Sequence, residues 1–270
     1  GRYIDATLGE GGHTEAILRA SNPGGQVLGI DADPEAVSVA GERLSEYSDR
    51  VLYANTNFRT VRATALTFDF VPVHGVLMDL GLSSLQLEGE RRGFSFRAED
   101  PLDMRFDPNG EVTAWEVVNK YSQQDLIRVI KTYGEERRVR AIAMNIIENR
   151  PIDTSLALAQ VVVRATRRRW GRIHPATRTF QALRIAVNQE LDRLKYFLEN
   201  CLDLLLLGGR LVIISYHSLE DRLVKHTFKD LYKEKRLSIL TKKPIIPSEI
   251  ECNENSRAKS AKLRSGERIL

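Results

Sequence analysis

The sequence predicts an α/β fold in which a doubly wound, Rossmann-like sheet is interrupted by an inserted all-helical domain. Short apolar strands alternate with helices over residues 1–81, helical periodicity without strands follows to about residue 197, and an apolar strand returns at 209–215. Such alternation is typical of a parallel sheet covered by helices on both faces. We therefore predict a core formed by residues 1–108 and 197–270, with a helical substrate-recognition domain at 109–196.

Each predicted element rests on a local pattern. Strands are short apolar runs, and Pro34 stands where the first turn of a helix tolerates proline. Residues 82–110 have no regular period and are expected to form a long functional loop. Breaks at Pro151 and Gly171 separate helical runs. The predicted strands are 3–8, 26–30, 51–54, 76–79, 209–215 and 237–241, and the predicted helices are 13–20, one from Pro34, 122–132, 135–149, 155–168, 176–198 and 218–233.

Charge is distributed unevenly along the chain. The net charge of +4 divides into −6 for residues 1–100 and +10 for the remainder. An acidic first part and a basic second part suit a small-molecule site joined to a surface for a polyanion, although ordinary solvated faces give the same pattern.

Cys201 and Cys252 have no metal-ligand spacing, so no metal is expected. We expect a cytoplasmic protein without a membrane span, either monomer or homodimer, and the abrupt start suggests a missing N-terminal segment.

A glycine turn after the first strand is the main cofactor signal. Gly9, Gly11 and Gly12 permit a tight turn at the start of a helix, and Asp31 ends the second strand. A carboxylate at that strand end accepts hydrogen bonds from ribose hydroxyls. A nicotinamide enzyme usually has a third glycine where Thr14 stands, so the pattern favours S-adenosylmethionine. Asp5 is expected to help hold the cationic end of this cofactor; a turn that serves packing alone is the other interpretation.

Two further residues are candidates for catalysis. Asp79 ends the fourth strand, and ligands of doubly wound sheets bind at the carboxyl ends of strands. Its carboxylate either orients a nucleophilic amine of a base or binds the cofactor, and sequence reasoning leaves both open. His217 follows the fifth strand and is a candidate proton carrier. Ser218, with acids after it, is expected to cap the next helix.

Seven motifs in register give the chain a family resemblance. They are GEGGH at 9–13, DLGLSS at 79–84, RGFSF at 92–96, PLDMR at 101–105, HPATRTFQALR at 174–184, SYHSLEDR at 215–222 and NSRAKS at 255–260. Together they resemble the bacterial 16S rRNA (cytosine-N4) methyltransferases of the RsmH (MraW) family over essentially the whole chain. The chain departs from the family pattern at Tyr216, where phenylalanine is usual, at Ser256, where proline is usual, and in lacking a segment before the first strand.

The resemblance implies a class I S-adenosylmethionine methyltransferase that acts on N4 of one cytidine in the decoding region of 16S rRNA. The fold it implies is the interrupted core described above. Phe58, after the third strand, would cover the adenine; simple core packing is the alternative. By motif match, the implied cofactor contacts are Gly11, Gly12, His13, Asp31, Phe58, Asp79 and Gln86.

Basic residues suggest where RNA binds. An arginine cluster surrounds Trp170, as expected for phosphate contacts with base stacking. Arg178, Gln181, Arg184 and Asn188 share one helical face and either hold nucleotides or form a buried polar network. The loop 92–107 is expected to grip an unstacked base through Phe94 and Phe96. The predicted RNA contacts are Arg167, Arg168, Arg169, Trp170, Arg178 and Arg184, with a second basic stretch at Lys225, Lys229, Lys233, Lys235, Arg236, Lys242 and Lys243.

Two other functions compete with an rRNA methyltransferase. The first is a nicotinamide-dependent oxidoreductase, which the missing third glycine and the lack of a hydride-transfer constellation disfavour. The second is an RNA-binding assembly factor that keeps the fold without turnover. The presence of Gly11, Gly12, Asp31 and Asp79 disfavours this alternative.

Overall fold

The computed structural model describes residues 1–83, 85–89, 92–166 and 174–270, without the side chains of residues 88 and 89. The chain divides into two compact units, 1–83 with 191–270, and 84–190. Among the described residues, no helix is long and apolar enough to cross a membrane. The arginine cluster and Trp170 lie outside the described residues.

The first unit contains a seven-stranded sheet in the order β3-β2-β1-β4-β5-β7-β6. Strands β1 to β5 pair in parallel, and β7 runs antiparallel to both β5 and β6. This topology confirms the predicted doubly wound α/β fold. The strands are β1 (Arg2–Asp5), β2 (Gln26–Asp31), β3 (Val51–Asn55), β4 (Val73–Asp79), β5 (Leu205–Ser215), β6 (Leu237–Ile239) and β7 (Lys262–Arg268).

Helices cover both faces of this sheet because successive side chains of a strand point in opposite directions. Val27 belongs to a cluster with side chains of α1 and α2. Its neighbour Leu28 belongs to a larger cluster with side chains of α3, α9 and α10. The helices of the first unit are α1 (Gly12–Ala20), α2 (Pro34–Arg43), α3 (Val61–Thr67), α9 (Glu190–Asn200, whose first residue belongs to the second unit), α10 (Ser218–Lys233) and α11 (Glu249–Glu254).

The described residues of the second unit form helices joined by loops. It contains α4 (Ala114–Lys120), α5 (Gln123–Gly134), α6 (Val139–Glu148), α7 (Ser155–Thr166) and α8 (Thr177–Asn188), preceded by a π-helical segment at Leu85–Gly89. Residues 84–108, which we assigned to the core, lie in this unit. The reason is local bonding: the Leu102 amide donates to Asp153 and the Ser155 amide donates to Asp100.

Several elements differ from the predictions, and helices α3 and α11 were not predicted. The helix expected at 176–198 is broken at Gln189, whose φ is 50°. Strand β7 was not predicted, because its buried positions are Arg264 and Gly266 rather than alternating apolar residues. The short helix α4 was also missed, although Thr113 and Glu116 form a capping box at its start.

Candidate active site

The turn between β1 and α1 requires glycine at two positions. Gly9 and Gly11 have φ values of 50° and 81°, in the left-handed region that side chains rarely adopt. A Cβ atom at Gly11 would also lie 3.0 Å from Leu44 Cδ1, whereas one at Gly9 would meet nothing within 4 Å. Gly11 is therefore fixed by packing as well as by backbone conformation, and Gly9 faces open space at the edge where a ligand of this sheet binds.

Asp31, at the end of β2, is tied to this turn. The Gly9 amide donates to Asp31 Oδ2 at 2.8 Å, and the Asp33 amide donates to Oδ1 at 3.0 Å. Burial raises the pKa of the Asp31 carboxyl. Each carboxylate oxygen has a second lone pair, so Asp31 can accept hydrogen bonds from two ribose hydroxyls while it keeps the turn in place.

Asp5, the last residue of β1, supports the same turn from the protein interior. It has no exposed surface, and its carboxylate accepts the Thr14 hydroxyl at 2.8 Å and the Thr7 amide at 3.2 Å. Burial raises the pKa of Asp5 to about 7, and these hydrogen bonds offset part of the effect. In this structure the carboxylate bonds to Thr14 at the start of α1, and the expectation that Asp5 helps to hold the cationic end of the cofactor stays a prediction.

Asp79 ends β4 beside the turn and is the centre of a polar cluster. Its Oδ2 atom lies 3.2 Å from His13 Nε2 and accepts the Tyr216 hydroxyl at 3.4 Å. Its Oδ1 atom accepts the Gly81 amide at 3.3 Å. The hydrogen bond to Asp79 raises the pKa of His13. Because these bonds come from three segments, the carboxylate is held in one orientation at the edge of the sheet.

Tyr216 was not predicted as part of the site. Sequence reasoning treated it only as a departure from phenylalanine, yet its hydroxyl adds a donor to Asp79. A Cβ atom at Gly81 would lie 2.8 Å from the tyrosine ring, so the glycine lets the ring approach this closely. Burial, and then the negative charge of Asp79, raise the pKa of Tyr216. The phenol therefore stays protonated and remains a donor at neutral pH.

His217 has a structural role at the start of α10. Its Nδ1 accepts the Glu220 amide at 3.4 Å, and the Glu220 carboxylate accepts the His217 amide at 3.3 Å, which forms a capping box. The expectation that Ser218 caps this helix was wrong, because His217 occupies that position. His217 Nε2 lies 3.0 Å from Glu220 Oε1 but makes no hydrogen bond to any described residue. Its catalytic role stays a prediction.

The two remaining cofactor candidates lie in different units. Phe58 begins a 3₁₀ turn after β3, and its ring packs edge-on against Phe197, with centroids 6.3 Å apart. Core packing accounts for that contact. The ring is partly exposed, and its proposed role of covering the adenine of the cofactor stays a prediction. Gln86 is buried within the π-helical segment of the second unit. Its role as a cofactor contact stays a prediction.

Comparison with known proteins gives the family. A family model described as the MraW methylase family matches residues 1–269. The chain belongs to this family. The cofactor residues fit that assignment, because the turn, Asp31 and Asp79 meet at one edge of the sheet. The chain is therefore an S-adenosylmethionine-dependent methyltransferase, as predicted, and the oxidoreductase alternative is excluded.

The relatives that match the chain along its full length include three from different organisms. Each is called ribosomal RNA small subunit methyltransferase H. The protein of Dehalococcoides mccartyi is 50% identical over 285 residues, covering 100% of this chain and 82% of the relative. The Synechococcus elongatus protein is 49% identical over 272 residues, covering 100% and 89%. The Thermomicrobium roseum protein is 50% identical over 287 residues, covering 100% and 88%.

The polar side chains on the predicted donor face of α8 bond mainly to other residues of the second unit. Arg184 forms a two-pronged ion pair with Glu190, at 2.8 and 2.9 Å, and is only 13% exposed. Asn188 donates to the Met104 carbonyl and accepts the Phe106 amide. These bonds connect α8 to the preceding loop, so the buried-network interpretation fits Arg184 and Asn188. A contact of Arg184 with RNA stays a prediction.

Arg178 and Gln181, on the same face, bind the end of α5. The Arg178 guanidinium donates to the Glu135 carbonyl at 3.3 Å, and the Gln181 amide donates to the Tyr133 carbonyl at 2.9 Å. Arg178 is nevertheless exposed, so its guanidinium keeps donors directed to solvent. Its contact with RNA stays a prediction.

The aromatic residues of the loop 92–107 pack inside the second unit. Phe94 is 7% exposed and stacks on Phe106, with centroids 5.6 Å apart. Phe96 stacks on His174 at 4.4 Å and meets Phe180 edge-on at 5.5 Å. Phe94 is buried and Phe96 is partly exposed, and the expectation that this loop grips a base stays a prediction.

Proposed function

We propose that this protein transfers a methyl group from S-adenosylmethionine to N4 of a specific cytidine in the decoding region of 16S ribosomal RNA. The observation that carries the proposal is the oriented Asp79 carboxylate beside the glycine turn. The names of its full-length relatives support the RNA class. Its partner is then the small ribosomal subunit, and its place of action is the cytoplasm, where that subunit is assembled.

The amino group of cytosine is a weak nucleophile because its lone pair is delocalised into the ring. Asp79 accepts one N4 hydrogen, which localises the lone pair and orients it. His13 and Tyr216 fix the orientation of that carboxylate through Oδ2. S-adenosylmethionine, when bound, supplies an electrophilic methyl group on a sulfonium that is already a good leaving group. The main contribution of these residues is therefore alignment.

The helical second unit is proposed to recognise the RNA around the target base. A base in folded RNA must be unstacked before it reaches a methyl donor, and a separate unit can hold the strands that flank it. Arg178 and the predicted cluster at residues 167–170 are the proposed contacts. Replacing Arg167, Arg168 and Arg169 with alanine should flatten the salt dependence of RNA affinity.

The decisive experiment incubates immature and mature 30S particles with labelled S-adenosylmethionine and identifies the methylated nucleoside. N4-methylcytidine at one position is expected. Its absence with folded protein that binds the cofactor would contradict the proposal and favour a non-catalytic assembly factor.

Variants then separate binding from chemistry. Asp31→Ala should weaken cofactor affinity by about 10- to 100-fold, because it removes hydrogen bonds to a charged acceptor. Asp79→Asn should keep most cofactor affinity and lower kcat by at least about 100-fold, the usual contribution of a positioned acid or base. Asp203→Asn is the control, since this exposed carboxylate is paired only loosely with Arg62, at 3.7 Å. An unchanged kcat for Asp79→Asn would refute its proposed role.

A further inference from the structure

Helix α10 turns a basic face outward. Its buried residues are Glu220, Val224, Phe228 and Leu231, and the last three belong to the core cluster that includes side chains of the sheet. The exposed residues of the helix include four lysine or arginine side chains and one acid. The exposed residues are Ser218, Arg222, Lys225, His226, Lys229, Asp230, Tyr232 and Lys233.

This excess of positive charge is not required for solvation. Helix α9 packs on the same face of the same sheet and exposes Asp192, Lys195, Tyr196 and Glu199, which include two acids and one cation. A mixed surface of that kind keeps a helix soluble equally well. The charge of α10 therefore calls for a separate explanation.

The positive charges are close together and only partly balanced. The Asp230 carboxylate accepts Lys233 Nζ at 2.8 Å, and Lys233, His226 and Lys229 together lower the pKa of Asp230. Lys225 and Lys229 form no ion pair with any described residue. The only other acid of α10 that is not fully buried, Asp221, is already bound by two cations of β7.

The basic face begins near the candidate active site. Helix α10 starts directly after His217, and the preceding residue, Tyr216, contacts Asp79. From Arg222 to Lys233 the helix rises about 16 Å at 1.5 Å per residue. A polyanion with one residue at Asp79 can therefore continue along this face within the first unit.

We propose that the outward face of α10 binds the phosphate backbone of the RNA that flanks the target nucleotide. The inference rests on the proposed function, because it takes RNA as the substrate. Lys225 and Lys229 are its central contacts, and the exposed Tyr232 offers a ring on which a base can stack. This surface lies wholly on the first unit, so the core contributes to RNA binding as well as the helical unit.

The test compares Lys229→Ala and Lys225→Ala/Lys229→Ala with the control Lys195→Ala, which removes an exposed lysine from α9. The probes are deproteinised 16S rRNA and 30S particles, titrated at several salt concentrations. Each lost phosphate contact should reduce affinity about five- to eightfold at 0.1 M salt and lower the slope of log K against log salt by about 0.7–0.9. The control should change neither quantity, and cofactor affinity should stay the same in all variants.

Two results would overturn the inference. One is an unchanged salt slope for the folded double variant in a protein whose wild type methylates the particles; the proposed function then stands and the face is a solvated surface. The other is loss of binding to vesicles containing phosphatidylglycerol with no change in RNA affinity, which assigns the face to a lipid surface. If the wild type methylates no RNA at all, the proposed function fails first.

Discussion

The buried carboxyl of Asp5 makes the stability of the first unit depend on pH in a direction that can be calculated. Its ordinary pKa is 3.8, and in the folded protein it is about 7. A raised folded pKa in an acid means that the folded state binds the proton more tightly than the unfolded state. Stability is therefore highest below the unfolded pKa and falls as pH rises through the folded pKa.

The size of the effect follows from the two pKa values. One pKa unit corresponds to about 1.4 kcal/mol, so the full shift lowers the free energy of unfolding by about 4 kcal/mol above pH 8. At pH 5 the penalty is under about 2 kcal/mol, because the folded carboxyl is still protonated. Asp5→Asn removes this dependence because an amide does not titrate in this range; its oxygen still accepts the Thr7 amide, but its nitrogen replaces the oxygen that accepts the Thr14 hydroxyl.

We expect the stability of Asp5→Asn relative to wild type to be about 2–3 kcal/mol greater at pH 8 than at pH 5, since the altered bond to Thr14 costs the same at both pH values. The assay is urea unfolding at both pH values, with hydrogen exchange of β1 amides to identify the transition of the first unit. Asp49→Asn, at an exposed carboxylate, is the matched control and should show no such difference. An equal effect of Asp5→Asn at the two pH values would refute the reasoning.

Three further predictions follow from local geometry. Gly11→Ala should destabilise the protein more than Gly9→Ala, because both add left-handed strain of about 1–3 kcal/mol but only the former meets a side chain at 3.0 Å; equal losses in urea unfolding would contradict this. Arg184→Ala should cost about 1.5–3 kcal/mol, because it removes two hydrogen bonds to the charged carboxylate of Glu190; a loss below about 1 kcal/mol in the same assay would mean that water replaces the guanidinium. Tyr216→Phe should lower kcat about two- to tenfold without changing the KM for cofactor, since it removes one donor to Asp79; a changed KM would place the hydroxyl at the cofactor.

The sheet and the cofactor turn were predictable because both depend on local sequence patterns. Apolar runs marked strands β1 to β5, and glycines followed by an acid marked the turn and Asp31. The contact between Tyr216 and Asp79 was not predictable, because it joins the end of β4 to the residue after β5 and depends on the register of the two strands. Strand β7 was not predicted for a related reason. Its buried Arg264 is paired with Asp221 of α10, which accepts a hydrogen bond from the guanidinium at 2.7 Å, and the local sequence does not reveal this partner.

Long-range pairing also explains the errors in the second unit. The break between α8 and α9 is stabilised when Arg184 and Glu190 pair across it, a relation that helical periodicity does not reveal. The ring contacts of Phe94 with Phe106 and of Phe96 with Phe180 could not be predicted either, because the loop that carries Phe94 and Phe96 has no regular period. The helix cap at His217 was misassigned because serine is the commoner capping residue.

The position of the second unit within the chain affects how the sheet is completed during synthesis. Strands β1 to β4 leave the ribosome before residues 84–190, and β5 follows them. Until β5 arrives, β4 is an edge strand, although it is central in the finished sheet. An exposed apolar edge invites pairing with other chains. The length of the chain between β4 and β5 matters less than this exposed edge. Each doubling of a loop's length adds only about 0.6 kcal/mol to the entropic cost of closing it. The nascent chain is therefore most prone to aggregate between the synthesis of β4 and that of β5.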